Sequence, residues 1–261
     1  MSFSRTIPRQ HGAWSILIAS FILGTLLGGR FGIESMLLLL AVLAAFFARY
    51  TASGYFKSDT VRNNLFTWFT LYAGIFLLSG VLLVFGYRRW FLIPLGTVSL
   101  VIIALSLYLA KKGKDLTLAG EINNILGLSI LAPAAEYTAW GIYSLKTLGL
   151  WLLCFFFFAG SVFRVRYLTR KRLEAGGEFL ERLKAGMPSL VFHMAAFLTT
   201  IGLIRINVLP ALTLFVLMPV TLRVLWLIAK RYKKPITVRA VGYIEVFHTL
   251  LFIVLAVIAF R

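Results

Sequence analysis

The chain reads as an all-α polytopic membrane protein with nine transmembrane helices, the N-terminus inside and the C-terminus outside. Three observations predict this. Of the 261 residues, 60% are hydrophobic, and the mean hydropathy is +0.90; that composition excludes a soluble domain. Nine apolar runs approach the roughly 20 residues that one bilayer crossing needs. They cover residues 13–29, 31–48, 65–85, 91–110, 118–139, 148–163, 188–204, 209–229 and 241–260. The third observation is charge. The 27 Lys and Arg outnumber the 9 Asp and Glu, for a formal charge of +18. Most of the cations fall in alternate connectors, on the side that holds the N-terminus, as the positive-inside rule requires.

In chain order, Arg5 and Arg9 precede the first run in the manner of a signal peptide. No small-residue cleavage site follows and eight more runs do, so an uncleaved first helix is expected. Gly28, Gly29 and Arg30 allow only a tight turn into the second run. The two longest inner connectors are residues 49–64 and 164–186. The second follows FFFFAGSVFRVRYLTRKR (residues 155–172), where hydrocarbon gives way to Arg164, Arg166, Arg170, Lys171 and Arg172. This helix is expected to run to Leu173 and break at Gly176 and Gly177. A short amphipathic surface helix, EFLERLKAG, would follow, with Phe179, Leu180 and Leu183 toward lipid. Either connector is read as a lipid-anchoring loop or as a cap over a site. Little chain remains for a soluble part, so a single transmembrane domain over residues 1–261 is expected in the cell membrane. Cys154 is the one cysteine, which excludes an intramolecular disulfide. Cations confined to connectors argue for anionic lipid rather than nucleic acid.

Ionisable groups inside membrane spans are rare and generally face a cavity or a partner. Glu121, Asn123 and Asn124 open the fifth run; His193 lies in the seventh, Arg223 in the eighth, and Glu245 with His248 in the ninth. At about 1.5 Å per residue, all fall within roughly 4–11 Å of the inner boundary. Glu245 and His248, like Glu121 and Asn124, are three apart and share a helix face. Pro219 frees a carbonyl near Arg223. Two arrangements satisfy this pattern: a water-accessible pocket open to the cytoplasm, or internal pairing of Arg223 with Glu245 or Glu121. In the pocket, Arg164, Arg166 and Arg223 suit an anion, because Arg binds phosphate in a bidentate manner. Apolar walls suit a hydrocarbon tail, so the expected partner is a phosphorylated or acidic lipid. Asn124 joins the binding set, and Glu121, Glu245, His193 and His248 are the candidates to orient the ligand or move protons. His193, His248 and Glu245 include metal-ligand types, but no spacing demands a metal, and no cofactor motif is present. Arg9 and His11 either touch headgroups or reach the pocket from its edge.

The segment PRQHGAW (residues 8–14) resembles the opening motif of the YwiC-like family of bacterial membrane proteins. Residues 121–124, 160–172 and 242–245 also resemble it; that family implies no particular activity. More distantly, the chain is similar to the UbiA prenyltransferase superfamily in helix number and in its two longest inner connectors. That resemblance implies a nine-helix bundle and a cytoplasm-facing site, with Asp-rich, Mg²⁺-binding motifs after helices two and six. Here SGYFKSDTVRNN (residues 53–64) keeps only Asp59, beside Lys57, and residues 164–172 are basic. The resemblance therefore implies an isoprenoid lipid as partner, its phosphate held directly by cations, and group transfer without the usual metal. A transporter or exporter of a small anion or lipid, and a non-catalytic membrane partner, are the alternative readings.

Overall fold

A computed structural model of the chain describes residues 11–55, 62–171, 178–230 and 238–261. All regular structure among the described residues is helical. The helices are α1 (His11–Gly28), α2 (Ile33–Tyr55), α3 (Arg62–Val81), α4 (Leu92–Lys111), α5 (Leu118–Ser129), α6 (Leu131–Trp140), α7 (Leu145–Lys171), α8 (Phe179–Arg205), α9 (Thr213–Ala229) and α10 (Val238–Phe260). A π-helical turn, Leu82–Gly86, ends α3. Seven helical stretches are long and apolar enough to cross a membrane, counting α5 and α6 as one path, and α1 and α9 are shorter apolar helices. The chain is thus a multi-pass membrane protein by the length and composition of its helices. The helices form two compact units, Met1–Thr147 and Leu148–Arg261.

In the first unit, α1 packs on α6 and α2 on α3. The α1–α6 interface is built from small residues. Gly24 and Gly28 form a GxxxG pair, and they meet Ala132, Ala135 and Ala139 across the interface. Without a hydrophobic drive between helices in lipid, such close backbone approach is a main source of packing energy. Gly29 then turns the chain at φ +70°, a conformation that glycine adopts without steric cost. The expected fifth run is interrupted at Ile130 between α5 and α6. Pro133 explains the break: it has no N–H for the Ser129 carbonyl one turn earlier, and its ring crowds that carbonyl. On the other side, Trp14 meets Phe46 and Phe47 edge-on, and Trp68 stacks on Tyr72.

In the second unit, the expected surface helix at residues 178–186 does not exist as a separate element. Those residues form the start of α8, which runs unbroken through Pro188 to Arg205. Glu178 and Glu181 supply a reciprocal capping box that starts the helix there. Phe179 and Leu180 are exposed as expected, whereas Leu183 packs against the core formed by Tyr167, Val224 and Leu227. Arg182 is not a solvated loop cation: its guanidinium donates to the Ile228 and Ala229 carbonyls at the end of α9. Those carbonyls have no intrahelical partner, and the helix dipole favours a cation there. The Phe run is partly core, since Phe157 stacks on Phe252 at 4.0 Å between centroids.

A Gly24→Val substitution, which forces side-chain atoms against the Ala132 carbonyl, is expected to destabilise the first unit by about 1–3 kcal/mol, as overpacked cores are. The melting temperature in detergent reads this. Gly74→Ala adds a methyl that meets nothing within 4 Å and is expected to be neutral or slightly stabilising.

Candidate functional site

Each unit carries its own polar cluster. In the second, α7, α8, α9 and α10 converge on Glu245. Its Oε2 accepts from Arg164 Nη2 at 2.9 Å and from the Ser161 hydroxyl; its Oε1 accepts from Arg223 Nη1 at 2.8 Å. Ser161 and Arg164 are one helical turn apart on α7, so both reach the same carboxylate. Arg164 has no solvent exposure and is the largest fully buried side chain described. Its Nη1 meets His193 Nε2 at 3.2 Å. Nδ1 of His193 lies 2.7 Å from the Ser189 carbonyl. A carbonyl only accepts, so Nδ1 donates, and Nε2 is left as the acceptor for Arg164. That assignment makes His193 a neutral imidazole. Gly160 makes room for the ring: a Cβ there would stand 2.8 Å from Nε2. His248 follows the same logic, with Nδ1 donating to the Ile244 carbonyl at 2.7 Å. Its 3.4 Å approach to Arg223 Nη1 then sets donor against donor and is not a hydrogen bond.

This arrangement spends its charges internally. Both carboxylate oxygens of Glu245 are engaged, and each guanidinium is turned toward that carboxylate. Four of the residues expected at the site, Arg164, His193, Arg223 and Glu245, are joined by hydrogen bonds, and His248 lies beside them. Arg166 is exposed and does not join them. Two residues apart on a continuous helix, Arg164 and Arg166 lie on nearly opposite faces. Among the described residues, no group of three or more His, Cys, Asp or Glu gathers as metal ligands do.

Glu121 and Asn124 belong to the first unit. Glu121 lies half-buried in the first turn of α5. Asn124 completes a cluster with two residues that sequence reasoning did not single out. Arg49 donates from Nε and Nη2 to Ser106 Oγ at 2.9 and 2.6 Å, and from Nη2 to Asn124 Oδ1 at 2.9 Å. The Ser106 hydroxyl in turn donates to Asn124 Oδ1 at 2.8 Å. Asn123 ties α5 to α4 beside it, donating to the Ile102 carbonyl at 3.1 Å. Asp115 acts on Arg49 electrostatically, but among the described residues Arg49 makes no ion pair.

Arg49, Ser106 and Asn124 sit at one end of a cavity of about 240 Å³ inside this unit. The rest of its lining is almost wholly apolar, drawn mainly from α2, α4 and the α5–α6 path, with Leu83 and Val84 from the π turn. Both of these consecutive residues are buried. From Arg49 to Leu38 the cavity follows α2 for about 16 Å, by the rise of 1.5 Å per residue. Arg9, Lys57 and Asp59 lie outside the described residues; His11 opens α1, and its side chain lies outside them too.

The helices and these enclosed charges define a polytopic α-helical membrane protein with a polar-ended apolar cavity. The model of the YwiC-like protein family matches residues 7–136, which reach from α1 into α6 and include the Arg49 cluster. Through that match the chain belongs to the YwiC-like family. Neither the curated proteins nor the solved structures gave a significant match.

Glu245→Ala is expected to cost about 3–5 kcal/mol, because it leaves two enclosed guanidinium groups without their counter-charge. Unfolding of the detergent-solubilised protein measures it. Arg166→Ala, at an exposed position, is expected to change stability by no more than about 0.5 kcal/mol. Equal effects of the two substitutions would contradict the network.

Proposed function

We propose that the protein binds an anionic membrane lipid, with the headgroup at Arg49 and the hydrocarbon chain in the cavity of the first unit. The single observation that carries this reading is a half-buried Arg hydrogen-bonded to the neutral Ser106 and Asn124 at one end of an apolar cavity, with Asp115 acting on it electrostatically but not as a hydrogen-bond partner. A guanidinium taken from water needs an opposite charge; a phosphate or carboxylate headgroup supplies one with bidentate geometry. The cavity's length of about 16 Å matches one leaflet of a hydrocarbon core roughly 30 Å thick. The anion is placed on Arg49 rather than on Arg164, Arg166 and Arg223, because Glu245 already answers two of those and the third is exposed.

The rest of the reading follows from charge and length. With α1 at about 27 Å and α9 at about 25 Å, both come close to spanning the hydrocarbon, which supports nine crossings. Cations concentrated in alternate connectors support an N-terminus in the cytoplasm, a plasma-membrane location, and a cavity mouth at the cytoplasmic end. A UbiA-like bundle is the architecture we favour, on helix number and the position of the long connectors.

Purified protein is expected to carry an anionic lipid detectable by native mass spectrometry. Arg49→Gln removes a charge-assisted contact of about 1.5–3 kcal/mol and is expected to lower lipid occupancy about tenfold or more. Unchanged occupancy in a stably folded Arg49→Gln protein would contradict the reading.

A further inference from the structure

The polar end of the first unit's cavity is short of acceptors. A guanidinium only donates, so the atom of Asn124 that faces Arg49 is the amide oxygen, and the amide nitrogen stands on the other arm. Arg49 places Nε and Nη2 on Ser106 Oγ, and Nη2 also on Asn124 Oδ1. The Ser106 hydroxyl, having accepted twice, gives its own proton to Asn124 Oδ1. That oxygen then accepts twice as well, and both side-chain acceptors at this end are full. Among the described residues, Arg49 Nη1 and Asn124 Nδ2 make no hydrogen bond, and both residues line the cavity. Each of these nitrogens is one bond angle away from the 2.9 Å contact between Nη2 and Oδ1, so the two donors lie close together. Charge and volume narrow the site further. Among the described residues lining the cavity, Arg49 is the one charged side chain. Asp115, outside that lining, acts on it electrostatically. The cavity's volume of about 240 Å³ falls below the roughly 300–1,000 Å³ of sites that enclose drug-sized ligands. Spread over about 16 Å of α2, such a space holds one hydrocarbon chain rather than a pair.

We infer that the ligand is a single-chain monoanion, a long-chain fatty carboxylate, and that Asn124 selects its headgroup together with Arg49. This rests on the lipid-binding reading above and names its ligand class. An ionised carboxylate is acceptor-only and carries two oxygens in one plane. One oxygen takes Arg49 Nη1 and the other takes the Asn124 amide. A long-chain alcohol or a protonated acid brings a hydroxyl proton that finds no acceptor here, and an enclosed donor left unmatched costs affinity. A phosphate monoester carries about −1.5 to −2 charges at pH 7, more than one guanidinium within the field of Asp115 offsets. A diacyl phospholipid brings a second chain that the cavity does not hold.

The test uses delipidated full-length protein and native mass spectrometry, with palmitate, hexadecanol, hexadecyl phosphate and dipalmitoyl phosphatidylglycerol as probes of equal chain length. Wild type is expected to bind palmitate about tenfold or more tighter than hexadecanol, and about fivefold or more tighter than the other two. Asn124→Asp keeps an oxygen for Arg49 and Ser106 but replaces the amide donors with a second acceptor and a negative charge. It is expected to stay folded, to lose palmitate about tenfold or more, and to hold hexadecanol within about twofold of wild type. Hexadecyl phosphate or phosphatidylglycerol bound more tightly than palmitate overturns the carboxylate class and leaves the lipid-binding reading standing. Palmitate bound equally by Asn124→Asp and wild type overturns the part assigned to Asn124. Anionic probes bound unchanged by Arg49→Gln, or none bound by wild type, overturn the reading itself. A second measurement on wild type does not depend on how any variant folds. Palmitate labelled with ¹³C at its carboxyl carbon is expected to show solid-state NMR contacts to ¹⁵N-labelled arginine and asparagine side chains. Carboxyl contacts to neither residue type overturn the proposal.

Discussion

Glu245 is the counter-charge on which the second unit depends. Arg164 and Arg223 come from different helices, both largely apolar, and both side chains are enclosed by the protein. In such surroundings a guanidinium cannot be left to solvent, so its partner must come from the protein. One carboxylate answers both, the Ser161 hydroxyl shares an oxygen, and a neutral His193 accepts a hydrogen bond from Arg164. The network joins four helices, α7, α8, α9 and α10.

The first unit meets the same constraint differently. The hydrogen-bond partners of Arg49 are neutral, Ser106 and Asn124, and Asp115 acts on it only electrostatically. They orient the guanidinium without cancelling its charge. Where the second unit holds an internally paired ion cluster, the first holds a cation at one end of an apolar cavity. That contrast is why the proposed ligand is placed in the first unit and why Arg164 and Arg223 are read as holding helices together.

Much of the fold was legible in the sequence because hydropathy and helix length are tied so directly in a bilayer. Each of the nine apolar runs falls on an observed helix, with Pro133 interrupting one, but α2 and α7 continue seven and eight residues past their runs and α8 begins nine residues before its own. The segment at residues 178–186 was misread because an amphipathic stretch ahead of a proline looks like a surface helix. Its capping box and the grip of Arg182 on α9 instead make it the first turns of α8. At the site, Glu245 with Arg223 was one of the pairings the spacing allowed. Arg49 and Ser106 were not legible. An Arg just beyond an apolar run counts as a topology signal, and one serine in an apolar helix carries no signal at all. Only the continuation of α2 past Ala48 to Tyr55 brings Arg49 into the unit. Arg166 was grouped with Arg164 by proximity in sequence, although the two-residue spacing alone sends it to another face of α7.

The central claim is that Arg49 holds a lipid headgroup while the chain fills the cavity beside α2 and α4. Cryo-electron microscopy of the full-length protein in nanodiscs containing an anionic lipid tests it most directly. The account predicts headgroup density within hydrogen-bonding distance of the Arg49 guanidinium, continuous with elongated density that passes Leu38 and Leu95. A cavity collapsed onto its own side chains, or lipid density confined to the outer faces of the helices with Arg49 bare, would contradict it.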